Sequence, residues 1–404
     1  MAMPVGVRAF NALGGALRGA GVPLVRLDEA TLLARARRST GLSDFGDDWF
    51  RTPLRKLLDS FEREAALTVL GRVIARSDVT RLLENRLRMT DVRNRHPEIA
   101  AETIRRPLFV VGLPRTGTSI LHELLAQDPE NRVPMSWEAM FPYPPPERAT
   151  YASDPRIAAV DKHLSGVDRL LPGFKAMHPM GAELPQECVA LTAHDFASML
   201  FSTTHYVPSY QAWIDAADLR PVYAGHRRQL QYFQWRCPAE RWALKSPGHL
   251  WALDALLAEY PDACIVQTHR DPLQVIASLA NLVATLRGMS TDRIDRHVIG
   301  REWTERLADG LTRATAVRDH LPPGTTPPFD MQFTEFLRDE VGMVRRIYTH
   351  FGSTLSDVAA ERMRRFLAAN PRDKHGAHRY TLADAGLDPG TERERYAAYI
   401  ERFL

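Results

Sequence analysis

Four apolar residues, Leu108-Phe109-Val110-Val111, run into Gly112, then Leu113-Pro114-Arg115-Thr116, then Gly117-Thr118-Ser119. Behind them, residues 120–127 place apolar side chains at helical spacing. This pattern predicts a strand, a tight anion-binding loop and a helix, and it restricts the chain to folds built around such a unit. The spacing of Gly112 and Gly117 matches the G-x-x-x-x-G frame of a Walker loop, yet Thr118 occupies the place of the Walker lysine. An ATPase needs that lysine on the β/γ-phosphates. Here the fixed charge comes from Arg115, inside the loop. Backbone N–H groups and a helix N-terminus still face an anion in such a turn. Phosphate-like chemistry is implied, but not the usual triphosphate chemistry.

Two further segments have the same character. Ala263-Cys264-Ile265-Val266-Gln267-Thr268-His269 is an apolar, β-branched run that ends at Arg270. Asp271 and Pro272 then supply an N-cap and a first helical residue, which puts Ser278 two turns into the helix. An arginine binds phosphate through two parallel hydrogen bonds, and a helix serine adds another donor. Trp242-Ala243-Leu244-Lys245 reads as a short buried strand ending in lysine, with a helix starting at Pro247.

Residues 113–119 resemble the 5′-phosphosulfate loop of the sulfotransferases that use 3′-phosphoadenosine 5′-phosphosulfate (PAPS). An arginine at position 115 is similar to the bacterial and tyrosyl-protein branches, and the chain resembles the tyrosyl-protein and carbohydrate sulfotransferase-like group. The resemblance implies that Arg115, Thr116, Gly117, Thr118 and Ser119 bind the 5′-phosphosulfate. It implies that Arg270 and Ser278, with the family's R-(x)7-S spacing, grip the 3′-phosphate. Lys245, in a K-x-P segment, would contact the transferring sulfonate or the bridging oxygen. Lys374 or Arg379, in Asp373-Lys374-His375-Gly376-Ala377-His378-Arg379-Tyr380, would close over the nucleotide. His375 and His378 lack cysteine or carboxylate partners at ligand spacing, so no metal is required. For the general base the resemblance offers Glu138 and His249. Glu138 lies near the catalytic glutamate of the tyrosyl-protein enzymes after a two-residue shift, and His249 lies four residues past Lys245. Glu183 and Glu187 form a third cluster that also reads as a plain helix start.

Composition fits an ordinary enzyme of 404 residues with a net charge of +3. Arginine is scattered and forms no basic stripe, so a nucleic-acid partner is not indicated. Three widely spaced cysteines, without C-x-x-C, argue for a reducing compartment. With no signal-peptide pattern and no apolar run of membrane-spanning length, the expectation is cytoplasmic.

The expected architecture is a three-layer α/β fold of the P-loop type with a mainly parallel central sheet. A helical region covers residues 1–103, with 3.6-residue periodicity over 27–36 and 53–95, packing on the core or at a homo-oligomer contact. An α/β domain follows over 104–404, with a helical insertion at about 154–236. A late strand at 328–333 leads into an amphipathic helix over 335–351. Pro142, Pro144, Pro145 and Pro146 make residues 141–146 a loop. In such folds ligands sit beyond the carboxyl ends of the strands, so one anion could touch Arg115, Lys245 and Arg270. The expected activity is transfer of a sulfonate from PAPS to a hydroxyl. The Met- and aromatic-rich insertion favours a small apolar acceptor of lipid or glycolipid type. The alternatives are a nucleotide kinase or other P-loop phosphotransferase, opposed by Thr118, and a non-catalytic nucleotide-binding protein of the same fold. A hydrolase using Ser119 lacks the G-x-S-x-G setting.

Overall fold

The computed structural model describes residues 5–20, 24–170, 180–371 and 381–404. Lys374, Arg379 and their loop lie outside the described residues, as do Phe174 and Met177 of the insertion.

Five parallel strands form the centre: β1 (Leu108–Gly112), β2 (Asn131–Arg132), β3 (Arg241–Lys245), β4 (Cys264–His269) and β5 (Phe329–Gln332). Their order in the sheet is β2-β3-β1-β4-β5. β1 is central and buried along its whole length, which is why its sequence is continuously apolar rather than alternating. Phe109 and Val111 join one hydrophobic cluster with Leu253, Val275, Ile276 and Trp303. Leu108 and Val110 join another with Leu121, Leu124, Val344 and Ile347. Helices therefore cover both faces, and the three-layer α/β expectation holds.

The strand order fixes where a ligand can sit. After β1 the chain first builds β2 and β3 on one side, then crosses to β4 and β5 on the other. The loop following β1 thus lies at the topological switch point, flanked by the ends of β3 and β4.

The region before β1 forms helices Val5–Gly19, Glu29–Thr40, Arg51–Arg63 and Val69–Arg95. The periodic stretch 53–95 is divided because the Thr68 side chain accepts from the Gly71 N–H and starts a new helix. Leu32, Leu57, Phe61 and Leu83 of this region share one core with Phe196, Phe201, Tyr210 and Val222 of the insertion. Arg86 forms a buried ion pair with Asp195, and Asn85 Nδ2 lies 3.2 Å from His194 Nε2. The leading helices and the insertion are consequently packed as one body against the sheet.

Three local details departed from the sequence pattern. β2 is only two residues long and exists through its pairing with β3. The amphipathic stretch 335–351 is two helices, Phe333–Phe336 and Glu340–His350, because the Asp339 side chain accepts from the Gly342 N–H and opens a fresh helix. The chain from Pro247 begins as a single 3-10 turn, Pro247–Trp251, before the helix Leu253–Glu259. The cysteines Cys188, Cys237 and Cys264 are all unbridged and buried. Among the described residues no helix is long and apolar enough to cross a membrane.

Candidate active site

Close backbone packing shapes the loop after β1. Gly112 has φ 145°, and a Cβ there would stand 2.1 Å from Thr268 Oγ1 and 2.9 Å from the Thr268 carbonyl oxygen. Gly117 has φ 88° and lies against the Phe333 and Phe336 rings. Only glycine combines these conformations with such close neighbours. Thr116 Oγ1 donates to the Leu113 carbonyl at 2.6 Å and meets Thr268 Oγ1 at 2.6 Å. The loop is thereby tied to the neighbouring strand. Thr118 and Ser119 begin the helix Thr118–Leu125, with Thr118 buried and Ser119 exposed.

Cations from both flanking strands reach this loop. Lys245, the last residue of β3, is 3% exposed, and its Nζ donates to Ser119 Oγ at 3.2 Å. From the other side, beyond β4, Arg270 Nη1 donates to the Arg115 carbonyl oxygen at 2.8 Å. Gln274 holds the remaining Arg270 nitrogens at 3.4 Å, and the guanidinium lies 4.4 Å from the Phe333 ring centroid. Arg115 and Arg270 carry like charges close together, and burial followed by Arg115 lowers the Arg270 pKa. Two neighbouring guanidiniums under mutual repulsion favour an anion between them. Arg115 itself is exposed, in the left-handed region at φ 66°. Ser278 is half-buried on the helix Pro272–Arg287, two turns beyond Arg270.

Lys245 has a second partner, from the cluster that also reads as a plain helix start. Glu187 Oε1 stands 2.5 Å from Lys245 Nζ. The segment carrying Glu187 is pinned by the Gln186 N–H on the Pro134 carbonyl at 2.7 Å and by Ser136 on the Leu184 carbonyl. Behind Lys245 lies His122, which burial and the lysine charge hold down to about 4. Glu123 is pushed up by burial, with the lysine opposing.

The two leading candidates for the base are placed differently. Glu138 is fully buried. It forms an ion pair with Arg132 and accepts from the Met135 N–H at 2.9 Å and from Tyr151 Oη at 2.8 Å. Arg132 in turn donates to the Phe233 and Cys237 carbonyls. Glu138 therefore braces β2 against the insertion, and none of its partners belongs to the loop. The sequence could not separate these roles, because a carboxylate beside tryptophan reads alike in both. His249 is buried in the turn after β3, with Nδ1 2.7 Å from Tyr223 Oη and Nε2 without a partner among the described residues. Burial, then His226, holds its pKa well below the ordinary range, so the ring is neutral.

A narrow cleft of about 50 Å³ adjoins this turn. Val189, Met199, Leu219, Tyr223, His249 and Trp251 are among its lining residues. Of the aromatic residues in the insertion, Phe196, Phe201, Tyr210, Tyr232 and Phe233 are core instead. Among the described residues, no group of three His, Cys, Asp or Glu side chains is arranged to hold a metal ion.

Comparison with known proteins bears on this geometry. The profile of the sulfotransferase family matches residues 107–357. The omega-hydroxy-beta-dihydromenaquinone-9 sulfotransferase Stf3 of Mycobacterium bovis is 24% identical over 324 residues, covering 74% of each chain. The crystal structure of sulfotransferase STF1 from Mycobacterium tuberculosis H37Rv superposes with a TM-score of 0.82 at 36% identity, over 92% of this chain and 98% of that one. For sulfotransferase STF9 from Mycobacterium avium the TM-score is 0.86 at 29% identity, over 94% and 97%.

Proposed function

Because the chain belongs to the sulfotransferase family, and that class in general takes its sulfonate from PAPS, we propose that the loop after β1 and the ends of β3 and β4 form the PAPS site, and that the acceptor is a hydroxyl on a largely apolar, lipid-like molecule. One observation carries the reading: Lys245 and Arg270, from strands on opposite sides of β1, both hydrogen-bond the same loop, at Ser119 and at Arg115. In this reading the loop N–H groups of residues 115–119 and Arg115 hold the 5′-phosphosulfate. Arg270 and Ser278 take the 3′-phosphate. Lys245 neutralises charge that develops on the bridge oxygen as the sulfur departs, which is where a fixed cation lowers the barrier most.

Calorimetry tests the nucleotide assignment. The product 3′-phosphoadenosine 5′-phosphate (PAP) should bind far more tightly than AMP or ADP, without added metal. Arg270→Ala should weaken PAP by about 1.5–3 kcal/mol, because a charge-assisted pair is lost. Equal affinities for PAP and AMP would sink the assignment.

Two observations support an apolar acceptor. The small cleft beside His249 has Val189, Met199, Leu219 and Trp251 on its wall, together with the polar Thr192, Gln211, Asp215 and Arg306, and a relative at 24% identity is named for a hydroxylated menaquinone. Purified protein with labelled PAPS should be offered lipid extracts, simple sugars and acidic tyrosine peptides in parallel. Label is expected in a hydroxylated lipid; label confined to sugars or peptides refutes the acceptor class.

A further inference from the structure

We propose that the helix Val5–Gly19 seats the protein reversibly on an anionic lipid surface. The inference goes beyond the sulfotransferase reading and stands without it. A surface helix normally turns its apolar stripe to the core and its polar side to water. Here the arrangement is reversed. Asn11 faces inward at 9% exposure, and its Oδ1 accepts from the Leu70 N–H at 3.0 Å. Gly14, three residues on, packs so closely that a Cβ there would stand 2.4 Å from Val69 Cγ2. These two positions fix which face is buried. Ala9, Phe10, Leu13 and Ala16 share the other face at helical spacing, and all four are exposed. Phe10 is 51% exposed and Leu13 66%. Among the described residues, no other helix leaves two large apolar side chains open in this way.

Charge selects the occupant. Residues 1–27 contain Arg8, Arg18 and Arg26 and no Asp or Glu. Arg8 lies on the helix and is exposed. Leu24 and Arg26, also exposed, border a hollow whose wall includes Val69, the residue that Gly14 packs on. A third apolar side chain and a second guanidinium therefore adjoin the helix. Of the acids in the hollows beside it, Asp28 accepts from the Thr31 N–H, Glu62 pairs with Arg72, and Asp292 is followed by Arg293.

A second copy of the chain would need a larger apolar surface. A stable dimer buries about 800 Å² per partner, whereas this face offers two large side chains with alanines beside them. A bilayer demands less. The apolar residues enter the boundary between headgroups and acyl chains, and arginines at its edge meet anionic headgroups. The helix lies on such a surface rather than crossing it, since no described helix is long and apolar enough to span a membrane. For an acceptor of lipid type, this contact brings the protein to the phase that holds the acceptor.

The test is flotation of the full-length protein with vesicles of phosphatidylcholine, alone or mixed with phosphatidylglycerol. The protein is expected to float with the mixed vesicles, and added salt should release it. Phe10→Ser/Leu13→Ser should weaken that binding by at least about tenfold, because two apolar side chains no longer leave water. Arg8→Gln should weaken it by about fivefold, one arginine's share. PAP affinity and circular dichroism should match wild type in both variants, because the changed positions are exposed and lie outside the anion loop. Wild-type protein that stays behind when the mixed vesicles float overturns the proposal. So does a Phe10→Ser/Leu13→Ser protein that floats like wild type. Wild-type dimers that this variant dissociates, seen by analytical ultracentrifugation, would assign the face to a second copy and overturn it as well. Flotation is read without PAPS or acceptor, so its failure leaves the sulfotransferase reading untouched.

Discussion

Replacing Lys245 with alanine is expected to lower turnover by about 10²–10³-fold, the usual effect of removing one preorganised group that faces developing charge, while PAP affinity changes only a few-fold. The split follows from timing. In the proposed reading the bridge oxygen carries most of its charge after the sulfur has begun to leave, so a lysine facing it would strengthen its contact in the transition state and affect the rate more than binding. Lys245 is buried and ion-paired to Glu187, and truncating it removes that ion pair. Removing one partner of a buried pair destabilises the fold, whereas removing both is often tolerated. Circular dichroism and PAP titration of Lys245→Ala beside Lys245→Met/Glu187→Gln therefore separate lost chemistry from lost structure. A folded Lys245→Ala protein with turnover within tenfold of wild type rules out the assigned role. Parallel losses of PAP affinity and rate would make the lysine a binding residue instead.

The second large effect is expected at Gly112. An alanine Cβ there would overlap Thr268 Oγ1 at 2.1 Å and crowd the Thr268 backbone, at a φ of 145° that side chains rarely adopt. Backbone strain and the separation of β1 from β4 should together cost on the order of 3–5 kcal/mol. Because Thr268 also anchors Thr116, the loop should lose its shape with the strand, and PAP binding should fall even in protein that remains folded. Gly15→Ala is the matched control: this glycine lies in a helix with nothing within 4 Å of a built Cβ. That change should be neutral or stabilising by about 0.5–1 kcal/mol. Thermal unfolding of both variants decides the matter, and a Gly112→Ala protein as stable as wild type would mean the strands part there at little cost.

The apolar run 108–111, its two glycines and the strand-end residues Lys245 and Arg270 are strong local signals, and they made the sheet, the loop and the family legible from the chain alone. Each depends on neighbours in sequence: continuous burial demands apolar residues, a tight turn demands glycine, and a parallel strand that ends at a ligand ends in a polar residue. The surroundings of the candidate bases were not legible. Glu138, His249 and Glu187 all sat near the motifs, and nothing within a few residues of each says which is enclosed, which is neutral and which faces the loop. Arg132 encloses Glu138 through the pairing of β2 with β3 and the insertion behind it. Tyr223 and His226, on a separate helix, surround His249. Lys245 finds Glu187 from 58 residues away. The sequence by itself determined the strand–loop–helix unit, the three-layer class and the ring of cations, because those follow from local periodicity and backbone sterics. Only the tertiary structure decided that the leading helices and the insertion share one core, and which carboxylate meets the lysine. Burial and charge pairing are set by residues distant in the chain, and they alone distinguish an enclosed acid from one beside the anion loop.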